Sequence, residues 1–315
     1  MSPVAGPGGA AWTAGLGAYR FHRLITVPRR PEDGHTVDRT AAQLTAAVTA
    51  AHAVLSAPSA GGEHRPAGLA AAWIRPGRHQ PLHFLVGGAP SFPPAGDEPA
   101  ADGAQRPLRY PPGSTARDVP AGEAVALLER LPFWIPCPGS HDALRLGHDE
   151  RALPGERRGS FDDAVAHLPD AFAWLVLAEP VPYERLEQER AALAVQLPRL
   201  RQRENSAADR VAADRAEARY RELTRALATG VWNVRVLVGA ERPESALASA
   251  ALLCGASDLD ELPYVLVPAR RPMPFAEALT TVTPQPAAAP AAGFWNQLME
   301  PAYDPWVTWM TTLSM

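Results

Sequence analysis

The chain has 315 residues, 46% hydrophobic and 20% charged, with 24 Gly and 34 Pro, a mix that can bury a core, excludes whole-chain disorder and calls for long loops. A formal net charge of -4 and a pI near 6.1 leave no basic field for a polyphosphate backbone, which disfavours sequence-independent nucleic-acid binding. All thirty basic residues are Arg, so the chain lacks the Lys that a P-loop, a Schiff-base enzyme or a protein kinase requires.

Residues 1–18 are rich in Gly, Ala and Pro and read as a disordered tail. They precede an α+β domain over 19–181. Its first strand is expected at 19–27, with Phe21, Leu24, Ile25 and Val27 supplying apolar side chains. Asp38 or Thr40 can cap a helix running to Ser56, in which Leu44, Val48, His52 and Leu55 form one inward stripe. Strands at 69–74 and 82–86 flank a turn at Pro76-Gly77, a hairpin signal. The stretch 89–107 is Pro, Ala, Gly and acid without apolar period, hence a long exposed loop.

A helix is predicted at 121–131, with Ala124, Leu127, Leu128 and Leu131 on one face. Short strands at 133–137 and 144–146 are read as joined by Pro138-Gly139, and a short helix at 161–168 leads to the apolar run 172–177. That run suits a central strand covered on both faces. The region 182–229 carries the clearest local signal. Leu186, Leu193, Leu197 and Leu200 hold heptad positions around the polar Arg190, and Ala213, Ala216, Tyr220, Leu223 and Leu227 alternate at intervals of 3 and 4. These are the arms of an antiparallel helical hairpin, with Ser206 and Asp209 as capping box at its turn. Pro198 is expected to kink or shorten the first arm.

Residues 230–271 complete the body as strand, helix, strand. Trp232, Val234, Val236 and Val238 face one way, and Val231, Asn233, Arg235 and Leu237 the other. A helix at 243–255 and a strand at 263–268 follow. The resulting class is α+β, mixed sheets with packed helices, consistent with a ferredoxin-like half. Residues 272–315 are an Ala/Pro linker and an aromatic tail.

The motifs Tyr110-Pro-Pro-Gly-Ser114, Leu131-Pro-Phe-Trp134, Arg158-Gly-Ser-Phe-Asp-Asp163 and Phe172-Ala-Trp-Leu-Val-Leu-Ala-Glu-Pro180 resemble the region preceding the motor in actinobacterial HerA/FtsK-type ATP-binding proteins. The strand Gly230-Val-Trp-Asn-Val-Arg-Val, its Ala-rich helix and Pro263-Tyr-Val-Leu-Val are similar to the α+β repeat found there. The resemblance covers about 19–271. No GxxxxGK[ST] occurs in these 315 residues, so it implies an accessory module that docks subunits or a partner, such as a separately encoded P-loop motor, with no cofactor of its own.

Several motifs invite chemistry. Trp174-Leu-Val-Leu-Ala-Glu179 mimics a Walker B strand, but without a phosphate loop it reads as a buried strand ending in a solvent-facing Glu. Ser140, His141 and Asp142, with His148, Asp149 and His167, form the richest polar cluster. A hydrolase or metal site is the alternative there, yet consecutive residues diverge, GxSxG is missing, and turn hydrogen bonding is favoured. Gly87-Gly88 reads as a turn after a strand. Arg199, Arg201 and Arg203 make a basic spot near the hairpin tip, the basis of a second alternative, weak nucleic-acid binding, against which the interspersed acids argue for a solvated face.

Cys137 and Cys254 form no metal spacing and are expected as buried thiols. No secretory signal pattern opens the sequence, and the apolar stretches at 172–177 and 246–254 fall short of the ~20 residues of a membrane span. The expectation is a cytoplasmic, non-enzymatic oligomerisation or partner-docking module. No catalytic, cofactor or metal residues are assigned. The interaction residues are Leu186, Leu193, Leu197, Leu200, Tyr220, Leu223 and Leu227 of the hairpin, and Trp295, Trp306 and Trp309 of the tail.

Overall fold

The computed structural model describes residues 16–26, 48–53, 55–56, 68–88, 115–140, 161–202, 206–256, 265–280 and 308–311. A 3-10 turn at Leu16–Ala18 leads into β1 (Arg20–Thr26), and a helical stretch at 48–53 continues at 55. Then come β2 (Leu69–Arg75), β3 (His83–Gly88), β4 (Thr115–Val119), α1 (Ala121–Glu129), β5 (Phe133–Pro136) and β6 (Gly139–Ser140). α2 (Phe161–Ala166), β7 (Phe172–Pro180), α3 (Tyr183–Arg201), α4 (Ala207–Thr229) and β8 (Val231–Ala240) follow. The last elements are α5 (Pro243–Ala256), β9 (Val265–Leu266), α6 (Phe275–Thr280) and β10 (Thr308–Thr311).

The architecture is α+β. Its main sheet is antiparallel, in the order β10-β8-β7-β2-β3-β1-β4. β10 and β5 share one edge of β8, β10 opposite Val231 to Val234 and β5 opposite Leu237 to Ala240. The far side of β5 is also paired. Trp134 and Met273 exchange backbone hydrogen bonds, the Ala269 amide donates to the Pro136 carbonyl (2.8 Å) and the Val267 amide to that of Pro138 (2.9 Å). β8 and β9 therefore run in the same direction with β5 between them, and α5 crosses from one to the other. That is the split strand–helix–strand of a ferredoxin-like half.

Strand alternation builds a core on each face. On one face Phe172, Trp174, Trp232, Val234, Val236 and Val238 meet α2, α5 and the 48–55 helical stretch. On the other, Ala173, Leu175, Leu177 and Leu237 meet α1, α6 and the 3-10 turn. β7 lies between β2 and β8 and is buried on both faces, as its uninterrupted apolar run requires. Trp134 is fully buried, donates from Nε1 to the Leu131 carbonyl (2.7 Å) and covers Gly239, where a Cβ would come within 2.7 Å of the indole.

Three local expectations are corrected. Gly87 and Gly88 are not a turn; they end β3, paired with β1 and β2, because the Phe21 ring lies where a side chain on residue 87 would stand. Pro138-Gly139 is not merely a junction between strands, since Gly139 itself enters β6, which continues the pairing of β5 toward β9. Pro198 does not end α3, which runs on to Arg201; an arm this close to its end loses little from one missing amide. The loop expected at 89–107, the strand at 144–146 and the linker at 283–293 lie outside the described residues, as do most of the aromatic tail and the first half of the helix expected up to Ser56.

Candidate functional site

Neighbouring antiparallel strands need only a short turn between them, yet β7 and β8 are joined by the hairpin α3–α4. Leu186, Leu193 and Leu200 sit one heptad apart and pack against Ala213, Ala216, Leu223 and Ala226. The leucines of α3 thus meet a mixture of small and large side chains on α4. Ser206 caps α4: its Oγ accepts from the Asp209 amide (3.1 Å), and the Asp209 carboxylate accepts from the Ser206 amide (3.1 Å). At about 1.5 Å per residue, arms of 19 and 23 residues extend for roughly 30 Å.

Charge pairs bind the arms on their flanks. Arg219 of α4, with only 11% of its side chain exposed, donates to Glu189 of α3 (3.1 Å) and to Glu222 one turn on (2.9 Å). Toward the tip Arg201 donates to Glu217 (2.6 Å), which also pairs with Arg221. Hydrogen bonding from Arg201 leads the causes that hold the Glu217 carboxyl below the usual range. The heptad residues named from the sequence lie between the two arms, as an antiparallel hairpin requires. Leu186, Leu193, Leu200 and Leu223 are buried, and Leu197, Tyr220 and Leu227 half-buried, in the seam between the arms. They shape the arm and present little surface outward.

The root of the arm is locked by His52. Its ring is fully buried and stands edge-on to Tyr183 (5.3 Å between centroids) and Trp232 (5.1 Å). Nε2 lies 2.9 Å from the Val231 carbonyl and 3.2 Å from the Val231 amide, so either neutral tautomer finds a backbone partner. Burial pushes its pKa down, outweighing the hydrogen bonds that favour the cation. The same Val231 carbonyl accepts from the Val181 amide (2.8 Å), closing the two chains entering the hairpin.

Beside this root lies a second polar group, whose burial the sequence did not reveal. Glu179, at the end of β7, is half-buried opposite Asn233 of β8. Burial raises its pKa to about 7, against the opposing pull of Arg235. Arg235 is itself buried, and donates to the carbonyls of Leu279 (2.7 Å) and Ala278 (3.3 Å) at the end of α6. The Tyr19 phenol, pushed well up by burial and then by the Glu179 charge, stands against Gly68. The expected solvent-facing Glu179 is corrected accordingly: the strand runs three residues past the apolar run 172–177 and carries the carboxyl into the body.

The remaining candidates are dispersed. Ser140 lies in β6 opposite Val265; His141, Asp142, His148 and Asp149 lie outside the described residues. His167 is exposed just after α2. Among the described residues no group of three His, Cys, Asp or Glu is placed to hold a metal, and no helix is long and apolar enough to cross a membrane. Arg199 is exposed, and Arg203 lies outside the described residues, as do Trp295 and Trp306. Trp309 lies in β10, with its backbone opposite Asn233. Cys137 and Cys254, which nothing in their spacing connects, meet in the core between β5 and α5; their thiols hydrogen-bond, and this contact and burial push Cys137 up. No family model, curated protein or solved structure matches the chain.

Proposed function

We propose that this chain is a non-catalytic assembly module whose working part is the helical arm α3–α4. The observation that carries the reading is the arm's position. It interrupts a strand connection that needs no more than a tight turn, has a seam of its own and is fastened at the root by His52. A structure of this kind adds a rigid lever to a body whose central strands are already covered on both faces. Lever and body together suit docking of subunits or of a protein partner better than chemistry on a small molecule.

The sequence resemblance to the region before the motor of HerA/FtsK-type ATPases fits the same reading, with a cytoplasmic location and a P-loop motor on another polypeptide as partner. Energy conversion would then belong to that partner, since no Lys is available in this chain to hold a transferred phosphoryl group. A homogeneous preparation assayed for ATP turnover tests this half of the proposal: no turnover is expected, and turnover that copurifies with the folded protein contradicts it. Replacement of residues 183–229 by a short turn tests the other half, with assembly read as mass by light scattering.

A further inference from the structure

We propose that the outer face of α3 is the contact surface for a second copy of this chain, the two α3 helices packing antiparallel. The inference rests on the reading of the hairpin as an assembly arm and names its occupant.

The face lies opposite the Leu186, Leu193 and Leu200 seam. Glu184, Glu187, Ala191, Val195 and Pro198 follow one another at intervals of three or four residues and are all exposed, so they share one stripe of the helix. Val195 is 62% exposed, the most exposed of the large hydrophobic residues described. A single exposed Val needs no explanation by itself. Its surroundings supply one. Ala191, Ala194, Val195 and Pro198 make two turns without a charge, where small side chains permit a close helix approach.

Charge chooses the occupant. The root end of this face is acidic, with Glu184 and Glu187, and the tip end is basic, with Arg199 and Arg201. A twofold axis through the middle of α3 lays the acidic end of each copy on the basic end of the other and puts Ala191 opposite Val195. The stripe is therefore complementary to itself in the antiparallel sense and repels itself in the parallel one, the property of an isologous interface. Arg201 pairs with Glu217 of its own chain and is 59% exposed, so its guanidinium stands at the surface that a second copy would meet. Antiparallel helices also oppose their macrodipoles favourably.

The test uses the full chain with Val195→Glu, and separately a mixture of Ala191→Cys and Val195→Cys chains. The parent is expected to sediment as a dimer at low ionic strength, with dissociation shifted about tenfold toward higher concentration in 0.5 M salt, where exposed charges are screened. Val195→Glu should be monomeric with unchanged helicity by circular dichroism. In the mixture, crosslinks between 191 and 195 should exceed those between two copies of 195; the parent, whose two thiols are buried, measures the background. A monomeric parent overturns the inference, as does predominant 195-to-195 crosslinking. If excision of the hairpin dissolves an assembly that Val195→Glu leaves intact, this surface is wrong and the assembly arm stands. If excision has no effect, the arm reading itself fails.

Discussion

The imidazole of His52 fills the space that a side chain on residue 230 would need. A Cβ at Gly230 would come within 2.6 Å of His52 Nδ1, and Gly230 has φ 88°, a conformation that L residues rarely adopt. The helical stretch at 48–55 and the end of the arm are thus fitted to each other through one ring and one missing side chain.

Gly230→Ala should therefore destabilise the protein by at least about 2 kcal/mol, from backbone strain and the clash together. Urea denaturation reads the loss. His52→Ala alone should cost about 2–4 kcal/mol through its cavity and the lost bond to Val231. The double variant should cost less than the sum, because removing the ring relieves the clash. Strict additivity would show that the two residues are not coupled as the geometry requires.

His52 also sets an acid limit. Its folded pKa lies below the ordinary value of 6.5, so the unfolded chain takes up the proton first. Its contribution is fully present above about pH 6.5 and is lost as pH falls below it. His52→Gln should flatten stability between pH 6.5 and 5 relative to the parent. An unchanged slope would mean that the ring is solvated enough to protonate in place.

Glu179 acts in the opposite direction. Its folded pKa of about 7 exceeds the ordinary value of 4.5, so the folded state holds the proton more tightly and stability falls as pH rises from about 4.5 to 7. Glu179→Gln should raise the melting temperature at pH 8 and change it little at pH 4.5. The gain is on the order of 3 kcal/mol at most, the value of about 7 already including the opposing pull of Arg235. A loss of stability at pH 8 would show that the carboxylate is held by its neighbours as an ion pair.

The two sides of α3 should respond differently to truncation. Leu193 is 4% exposed and Val195 62%. Leu193→Ala should cost about 2–4 kcal/mol and lower amide protection along the arm before the sheet. Val195→Ala should change the stability of the isolated chain by less than about 0.5 kcal/mol. Equal losses at both positions would place α3 differently on its partner.

Much of this structure could be read from local pattern. The alternation of Trp232, Val234, Val236 and Val238 against Asn233, Arg235 and Leu237 gave both faces of β8, and the heptads with Ser206 and Asp209 gave the arm to within a residue or two. What was hidden depends on distant partners. Glu179 looks like the polar end of an apolar run until β8 and Tyr19 are placed around it. His52 looks like one more member of an inward stripe until Gly230 arrives from far along the chain. Cys137 and Cys254 become a pair only when α5 packs on β5. The seam leucines were legible as partners within the arm, because two heptad segments joined by a capped turn satisfy each other.

The most direct measurement compares the intact chain with a variant in which 183–229 is replaced by a short Gly-containing turn, each examined for native mass and thermal melting in one preparation. The body should keep a cooperative melt, its central strands having a core on each face without the arm, while the mass falls from an assembly to a single chain. A variant that melts cooperatively and retains the parent's assembly mass would contradict the account.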